Sequence, residues 1–207
     1  MIINIASNAY EKGKEMDNTI DITIPYIYVN AVGMQHTTKN VCVYDGNSSI
    51  YNEGKLITNC NDSFKEECKI ADLNESSLTI PCENKLLEAL LFAIREWDKQ
   101  IFSSRFKWLI GLSGGLDSSV NAALLSLALG SDRVIGLNMA TKYNSSTTID
   151  NAHKLANAVN MDIRDGIIQK LVEEQIECLK QYTNKEISEW QNFDLATINQ
   201  VFNIVNL

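Results

Sequence analysis

Apolar residues follow two different rhythms along this chain, and the rhythm changes near residue 80. Before that point they come in short runs broken by turn formers. Residues 26–32 and 40–45 read as strands, and Asp45-Gly46 and Glu53-Gly54-Lys55 read as hairpin turns, so Val41 to Asn59 is expected to form a meander. Met1-Ile-Ile-Asn-Ile is strand-like as well, and Phe64 to Leu73 alternates weakly enough to add one more strand. The polar stretch after residue 74, ending in Pro81, places a linker at 76–82.

After the linker the pattern is helical and then alternates between helix and strand. Leu86, Leu87, Leu90, Leu91, Ile94 and Trp97 recur on one face of a helix running from Glu83 to Phe102, which is expected to pack on the sheet that follows. Next come a strand at 106–112, a helix at 116–129, a strand at 134–139, a helix at 147–159 and a weak strand at 162–168. That order predicts a parallel, doubly wound sheet, whose ligand binds beyond the carboxyl ends of the strands. The turn at Ser113 and the segment Met139 to Lys142 both fall there. The tail containing Trp190 and Phe193 has a weaker helical pattern.

The chemistry concentrates in Trp108-Leu-Ile-Gly-Leu-Ser-Gly-Gly-Leu-Asp-Ser-Ser119, where an apolar strand meets a glycine turn and a helix. Free backbone N–H groups and the positive end of the helix dipole converge at such a junction, and glycines let a polyphosphate approach without a Cβ clash. Gly111, Leu112, Ser113, Gly114, Gly115, Leu116, Asp117 and Ser118 are therefore the candidate nucleotide-binding residues. Asp117 alone would repel phosphate, so it reads as a ligand for magnesium bridging the phosphates. The plainer reading is that Asp117 and Ser118 cap the helix while the glycines close a turn. Ser-Gly-Gly-x-Asp-Ser should arise by chance in about one chain of this length in several thousand, which favours the functional reading. The spacing matches neither Gly-x-Gly-x-x-Gly nor the Walker loop.

Gly111-Leu-Ser-Gly-Gly-Leu-Asp-Ser118 resembles the pyrophosphate loop of the ATP pyrophosphatases, a signature that asparagine, GMP and NAD synthetases share. The flanks narrow the choice. Val134-Ile-Gly-Leu-Asn-Met139, the polar segment Lys142-Tyr-Asn-Ser-Ser-Thr-Thr148 and the helix Asp150-Asn-Ala-His-Lys-Leu-Ala-Asn-Ala158 resemble NAD synthetases. Pro25 to Gly33 and Val43-Tyr-Asp-Gly-Asn-Ser48 resemble the closing strands of a nitrilase-type glutaminase. The order of the two resembles glutamine-dependent NAD synthetase, over residues 1–75 and 83–170.

That resemblance implies an α/β chain in which a partial nitrilase-like, β-rich segment (1–75) precedes a doubly wound, adenine nucleotide alpha-hydrolase-like domain (83–207). It implies ATP-dependent amidation of deamido-NAD to NAD, with ATP and Mg2+, and with ammonia drawn from glutamine. It also implies the middle of a longer enzyme, since the glutaminase nucleophile would lie upstream of Met1–Ser7. The Arg-bearing helix for the second magnesium and the pyridine substrate has no counterpart in Thr197-Ile-Asn-Gln-Val-Phe-Asn203, so no catalytic residue is assigned. Alternatives are a non-catalytic nucleotide-binding fragment and another ATP pyrophosphatase, such as an asparagine or GMP synthetase.

Composition changes this picture little. Of 207 residues, 45% are apolar and 21% charged, enough for one or two cores, and the net charge of −8 without a basic stripe argues against a nucleic-acid partner. No apolar run long enough to span a membrane and no signal peptide is visible, so a cytoplasmic protein with small-molecule partners is expected. Homo-oligomerisation is compatible with that expectation. Cys42, Cys60, Cys68, Cys82 and Cys178 lack a C-x-x-C pair and read as free thiols, Cys42 and Cys178 suiting packing. Lys142 reads as a solvated loop lysine in preference to a phosphate contact, and His36 and His153 as surface or packing residues.

Overall fold

The computed structural model describes residues 1–13, 17–37, 40–60, 63–78, 84–142 and 144–183. Six strands come first: β1 (Ile2–Ala6), β2 (Tyr26–Asn30), β3 (Val32–His36), β4 (Val41–Asp45), β5 (Ser49–Asn52) and β6 (Lys55–Asn59). They form two sheets. One has the order β1-β2-β5-β6, with β1 parallel to β2 and the other pairs antiparallel, and the second is the β3–β4 ribbon.

The expected meander is therefore split. The run 26–32 breaks at Ala31 and passes from one sheet to the other, and Asp45-Gly46 carries the chain back rather than closing a hairpin. Gly46 and Asn47 both have positive φ there, and a Cβ on Gly46 would come within 2.8 Å of Val32 Cγ2. Glu53-Gly54 is a true hairpin turn: both residues have positive φ, as a type I′ turn requires, and Asn52 pairs with Lys55. The strand expected over Phe64–Leu73 does not form. Phe64 adopts φ 64° and buries its ring against Tyr10 and Phe92, so the segment serves as a plug and not as a ladder. β1 lies at a sheet edge with Ile3 and Ile5 exposed.

Helix α1 (Lys85–Phe102) opens with Asn84, whose Oδ1 accepts from Leu87 N, and closes at Ser103 in the left-handed region. It packs chiefly on the next helix and the β3–β4 ribbon, and its carboxyl end meets the following sheet, where Asp98 and Phe102 touch Trp108. Phe92 meets Phe64 at 5.2 Å between ring centroids and Trp97 meets His36 at 4.9 Å. Lys85 forms an ion pair with Asp45 at 2.5 Å. On its other side Arg95 donates to the Ala128 carbonyl.

The second half has the expected alternation: β7 (Trp108–Gly111), α2 (Leu116–Leu129), β8 (Val134–Ala140), α3 (Ser146–Ala158), β9 (Asp162–Ile167) and α4 (Gln169–Thr183). β7, β8 and β9 form a parallel sheet in that order, joined by helical crossovers. Its core joins Leu112 and Val134 to Ala122, Ala152, Ala156 and Met161, so small residues on α2 and α3 let both helices sit close to the strands.

The base of this sheet is fastened by one buried carboxylate. Asp98, 1% exposed, accepts from Trp108 Nε1 at 2.8 Å and takes a two-pronged contact from Arg133 at 2.6 and 3.0 Å. Arg133 also donates to the Phe106 carbonyl, so the end of α1 and the starts of β7 and β8 are tied together. Hydrogen bonds from Arg133 hold the Asp98 carboxyl below its ordinary pKa despite burial.

Candidate functional site

The loop that the sequence singles out leaves β7 at its carboxyl end and enters α2. Gly111 still pairs with Leu137, and Leu112 N donates to the Leu137 carbonyl at 2.8 Å. Leu112 is 1% exposed in the core, so of the candidate residues it anchors the loop and offers a ligand little beyond its backbone. Gly114 has φ +77°, and a Cβ there would overlap the Thr148 carbonyl oxygen and lie 3.1 Å from Ala152 N. Only glycine satisfies both demands.

Gly115 plays a different part. Its φ of −79° is open to any residue, and a Cβ would come no nearer than 3.4 Å to Ser113 Oγ, so the fold itself does not demand glycine. It is the N-cap of α2, and no side chain caps that helix. The first-turn amides from Leu116 onward thus lack side-chain partners, at the positive end of the macrodipole. Ser113 Oγ and Ser118 Oγ lie 3.1 Å apart; Gly115 N donates to the former and the latter donates to the Gly115 carbonyl. Asp117 stands exposed in the first turn and the Leu116 side chain is also exposed.

Beside the loop, β8 outruns β7. The β7–β8 ladder ends at Leu137, while β9 continues to pair with β8 as far as Ala140, leaving Met139 48% exposed. A short turn follows, closed by Asn144 Oδ1 accepting from Thr141 N, and Ser145 caps α3 by accepting from Thr148 N. The α2 amino terminus and the end of β8 therefore both lie at the carboxyl edge of the sheet. That is where a parallel α/β sheet places its ligand.

The other sequence candidates are distributed away from the loop. Lys142 points toward Glu173 at 3.8 Å, and its backbone N donates to Gln169 Oε1. His153 Nε2 lies 3.0 Å from Asp165 Oδ1 in an exposed polar pair, and the His36 ring meets Trp97 at a tilt of 56°. Cys42 and Cys178, expected to pack, are exposed. Cys82, Trp190, Phe193 and 197–203 lie outside the described residues. Among the described residues no three His, Cys, Asp or Glu side chains gather around a common point. A cavity of about 250 Å³ lies in the first half instead, lined by Asn8, Tyr26, Tyr28, Asp45 and Tyr51.

Two features escape sequence reasoning. The Asp98–Arg133 clasp joins residues with no shared motif, and Asn138 interrupts the apolar run of β8 with a side chain 3% exposed. The interruption was the available signal for the second.

A family model of NAD synthases matches residues 94–202. The chain belongs to the NAD synthase family. Of the three synthetase types sharing the loop signature, this is the one that the flanks indicated. A glutamine-dependent NAD(+) synthetase from Synechocystis is 29% identical over 180 residues, which cover 78% of this chain and 31% of the relative. The structure of the Acinetobacter baumannii glutamine-dependent NAD+ synthetase, determined with ADP, superposes with TM-score 0.68 at 25% identity, covering 81% of this chain and 33% of that one. The Cytophaga hutchinsonii glutamine-dependent enzyme, at 17% identity and TM-score 0.62, shares the fold. The chain spans about a third of the length of the curated relatives it matches. Their likeness covers more than the family match, so it reaches into the strand-rich first half.

Proposed function

We propose that residues 83–207 are the nucleotide-binding part of an ATP-dependent synthetase that amidates deamido-NAD, and that residues 1–75 are the closing part of a nitrilase-like glutaminase. Family membership and the ADP held by the Acinetobacter baumannii relative support the first assignment. The carrying observation is the uncapped start of α2 at Gly115, behind a turn that only glycine at 114 can make.

In this reading the amides of Gly114 to Ser118 and the hydroxyls of Ser113 and Ser118 bind the triphosphate. The adenosine part lies against the exposed end of β8 near Met139 and Ala140. Asp117, exposed in the first turn of α2, suits magnesium, which takes one or two protein carboxylates and fills its remaining positions with phosphate and water. Asp117 would hold it, and the metal supplies charge neutralisation for the departing pyrophosphate. The deamido-NAD carboxylate attacks the α-phosphorus, the bond to the bridging oxygen breaks, and pyrophosphate leaves. Ammonia then adds to the activated carbonyl and AMP departs. The chain's own contribution to the first step is a set of backbone N–H donors at the start of α2 that face the developing charge.

Among the described residues no helix is long and apolar enough to cross a membrane, and the proposed substrates are those of the cytoplasm. Titration calorimetry with ATP tests the site directly: Asp117→Asn should weaken binding at least ten-fold when magnesium is present and strengthen it when magnesium is absent, because the bare carboxylate repels phosphate. Equal affinity in both forms overturns the assignment of Asp117. Pyrophosphate release triggered by deamido-NAD with free ammonia, compared with aspartate or xanthosine monophosphate, tests the acceptor.

A further inference from the structure

Resting on that nucleotide site, we propose that Asn138 is a positioning residue for the phosphate loop, its side-chain amide holding the loop in the form that binds nucleotide. Asn138 Nδ2 is buried and has no hydrogen-bond partner among the described residues. Buried amide donors are nearly always paired with protein, water or ligand, so this one calls for a partner beyond the hydrogen bonds within the resting chain.

Its surroundings point to the loop. The side chain shares a face of β8 with Val134 and Gly136. A Cβ on Gly136 would lie 3.3 Å from Leu112 Cδ2, so this face runs beneath the residue that leads into the loop. Because Gly111 pairs with Leu137, Asn138 is level with Leu112 and is the first β8 residue past the ladder, where its neighbour across the sheet becomes the Ser113 turn. On the far side its ladder partner is Asp165, whose Oδ1 is engaged by His153. Above, Gly114 rests on Thr148 and Ala152 of α3.

Of the elements enclosing Nδ2, β9 is fixed by its ladder and α3 by its own hydrogen bonds. The loop, which begins one residue past Leu112, brings backbone carbonyls to this side of the strand. Phosphate drawing the amides of residues 114–118 together would shift one of these carbonyls onto the donor, and the bond then formed favours the bound state. A donor paired only in that state couples to nucleotide affinity by about five-fold or more.

Calorimetry with Mg·ATP on the whole chain and its Asn138→Leu and Asn138→Ala variants tests this. The expected result is at least five-fold weaker binding in Asn138→Leu with an unchanged or higher melting temperature, because the apolar isostere removes the unpaired donor. A purely structural role would lower the melting temperature and leave affinity alone. In the unmodified 15N-labelled protein, the Asn138 side-chain amide resonance, assigned by its loss in Asn138→Asp, should shift on adding Mg·ATP and stay in place with adenosine. Binding within two-fold of the unmodified protein, or an unmoved resonance, overturns the proposal. If the unmodified chain itself binds no Mg·ATP, the nucleotide-site reading fails first and takes this one with it.

Discussion

Gly114 and Gly115 are adjacent, yet the structure assigns them unlike duties, and alanine at each position separates scaffold from ligand approach. At Gly114 two costs combine. A left-handed backbone at φ +77° disfavours a Cβ by about 1–2 kcal/mol, and displacing the Thr148 carbonyl that the Cβ would overlap adds about 1–3 kcal/mol, as in other overpacked sites. Gly114→Ala should therefore lose about 2–5 kcal/mol, which for a domain of this size lowers the melting temperature by roughly 4–20 °C. At Gly115 neither cost applies, and replacing a glycine N-cap with alanine destabilises by about 1 kcal/mol at most. Yet a methyl group there would stand where the proposed phosphate meets the backbone. Thermal melts paired with Mg·ATP calorimetry should show Gly114→Ala failing in stability and Gly115→Ala failing in affinity. A Gly114→Ala protein as stable as the original would refute the loop geometry, and a Gly115→Ala protein that binds normally would refute the backbone approach.

Two further outcomes concern the framework. Asp98 has a folded pKa below its unfolded value, so its contribution is complete above the ordinary carboxylate range near 4 and is lost as pH falls below that range through the folded value. Acid unfolding followed by circular dichroism should consequently begin at higher pH in Asp98→Asn, and coincident curves would remove the clasp from the acid-sensitive groups; at neutral pH, removing the partner of a mostly buried Arg133 should cost about 3–5 kcal/mol. Lys85→Met takes away the ion pair with a 10%-exposed Asp45 carboxylate and the cation over the Tyr10 ring, so chemical denaturation should report a loss of about 1–3 kcal/mol. No change would mean that the α1 start does not fasten the two halves.

The sequence was most legible where one residue type has one physical use. Glu53-Gly54 between two apolar runs could only be a tight reversal, and the strand–glycine–helix junction at 108–119 announced its shape. It was misleading where alternation is weak. Phe64–Leu73 has the composition of a strand, but Phe64 is drawn into an aromatic cluster with Tyr10 and Phe92, and burying that ring outweighs extending a ladder. Asp45-Gly46 looked like a hairpin because turn residues report a change of direction without naming the strand that receives the chain. Within the site, Ser113, Gly114, Asp117 and Ser118 were all visible as a motif, whereas Asn138 was not, since its position under the loop follows from register between β7 and β8.

Local sequence alone indicated a strand, a glycine turn and a helix in succession at 108–119, and a parallel sheet alternating with helices, because backbone sterics and hydrophobic period act over a few residues. Tertiary structure alone decided that Gly114 is indispensable while Gly115 is permissive, since the difference lies in the Thr148 carbonyl more than thirty residues away. It decided likewise that Asp98 meets Arg133 and that β3 leaves the sheet of β2. Those facts depend on which surfaces are brought together, and no short window of sequence contains both surfaces.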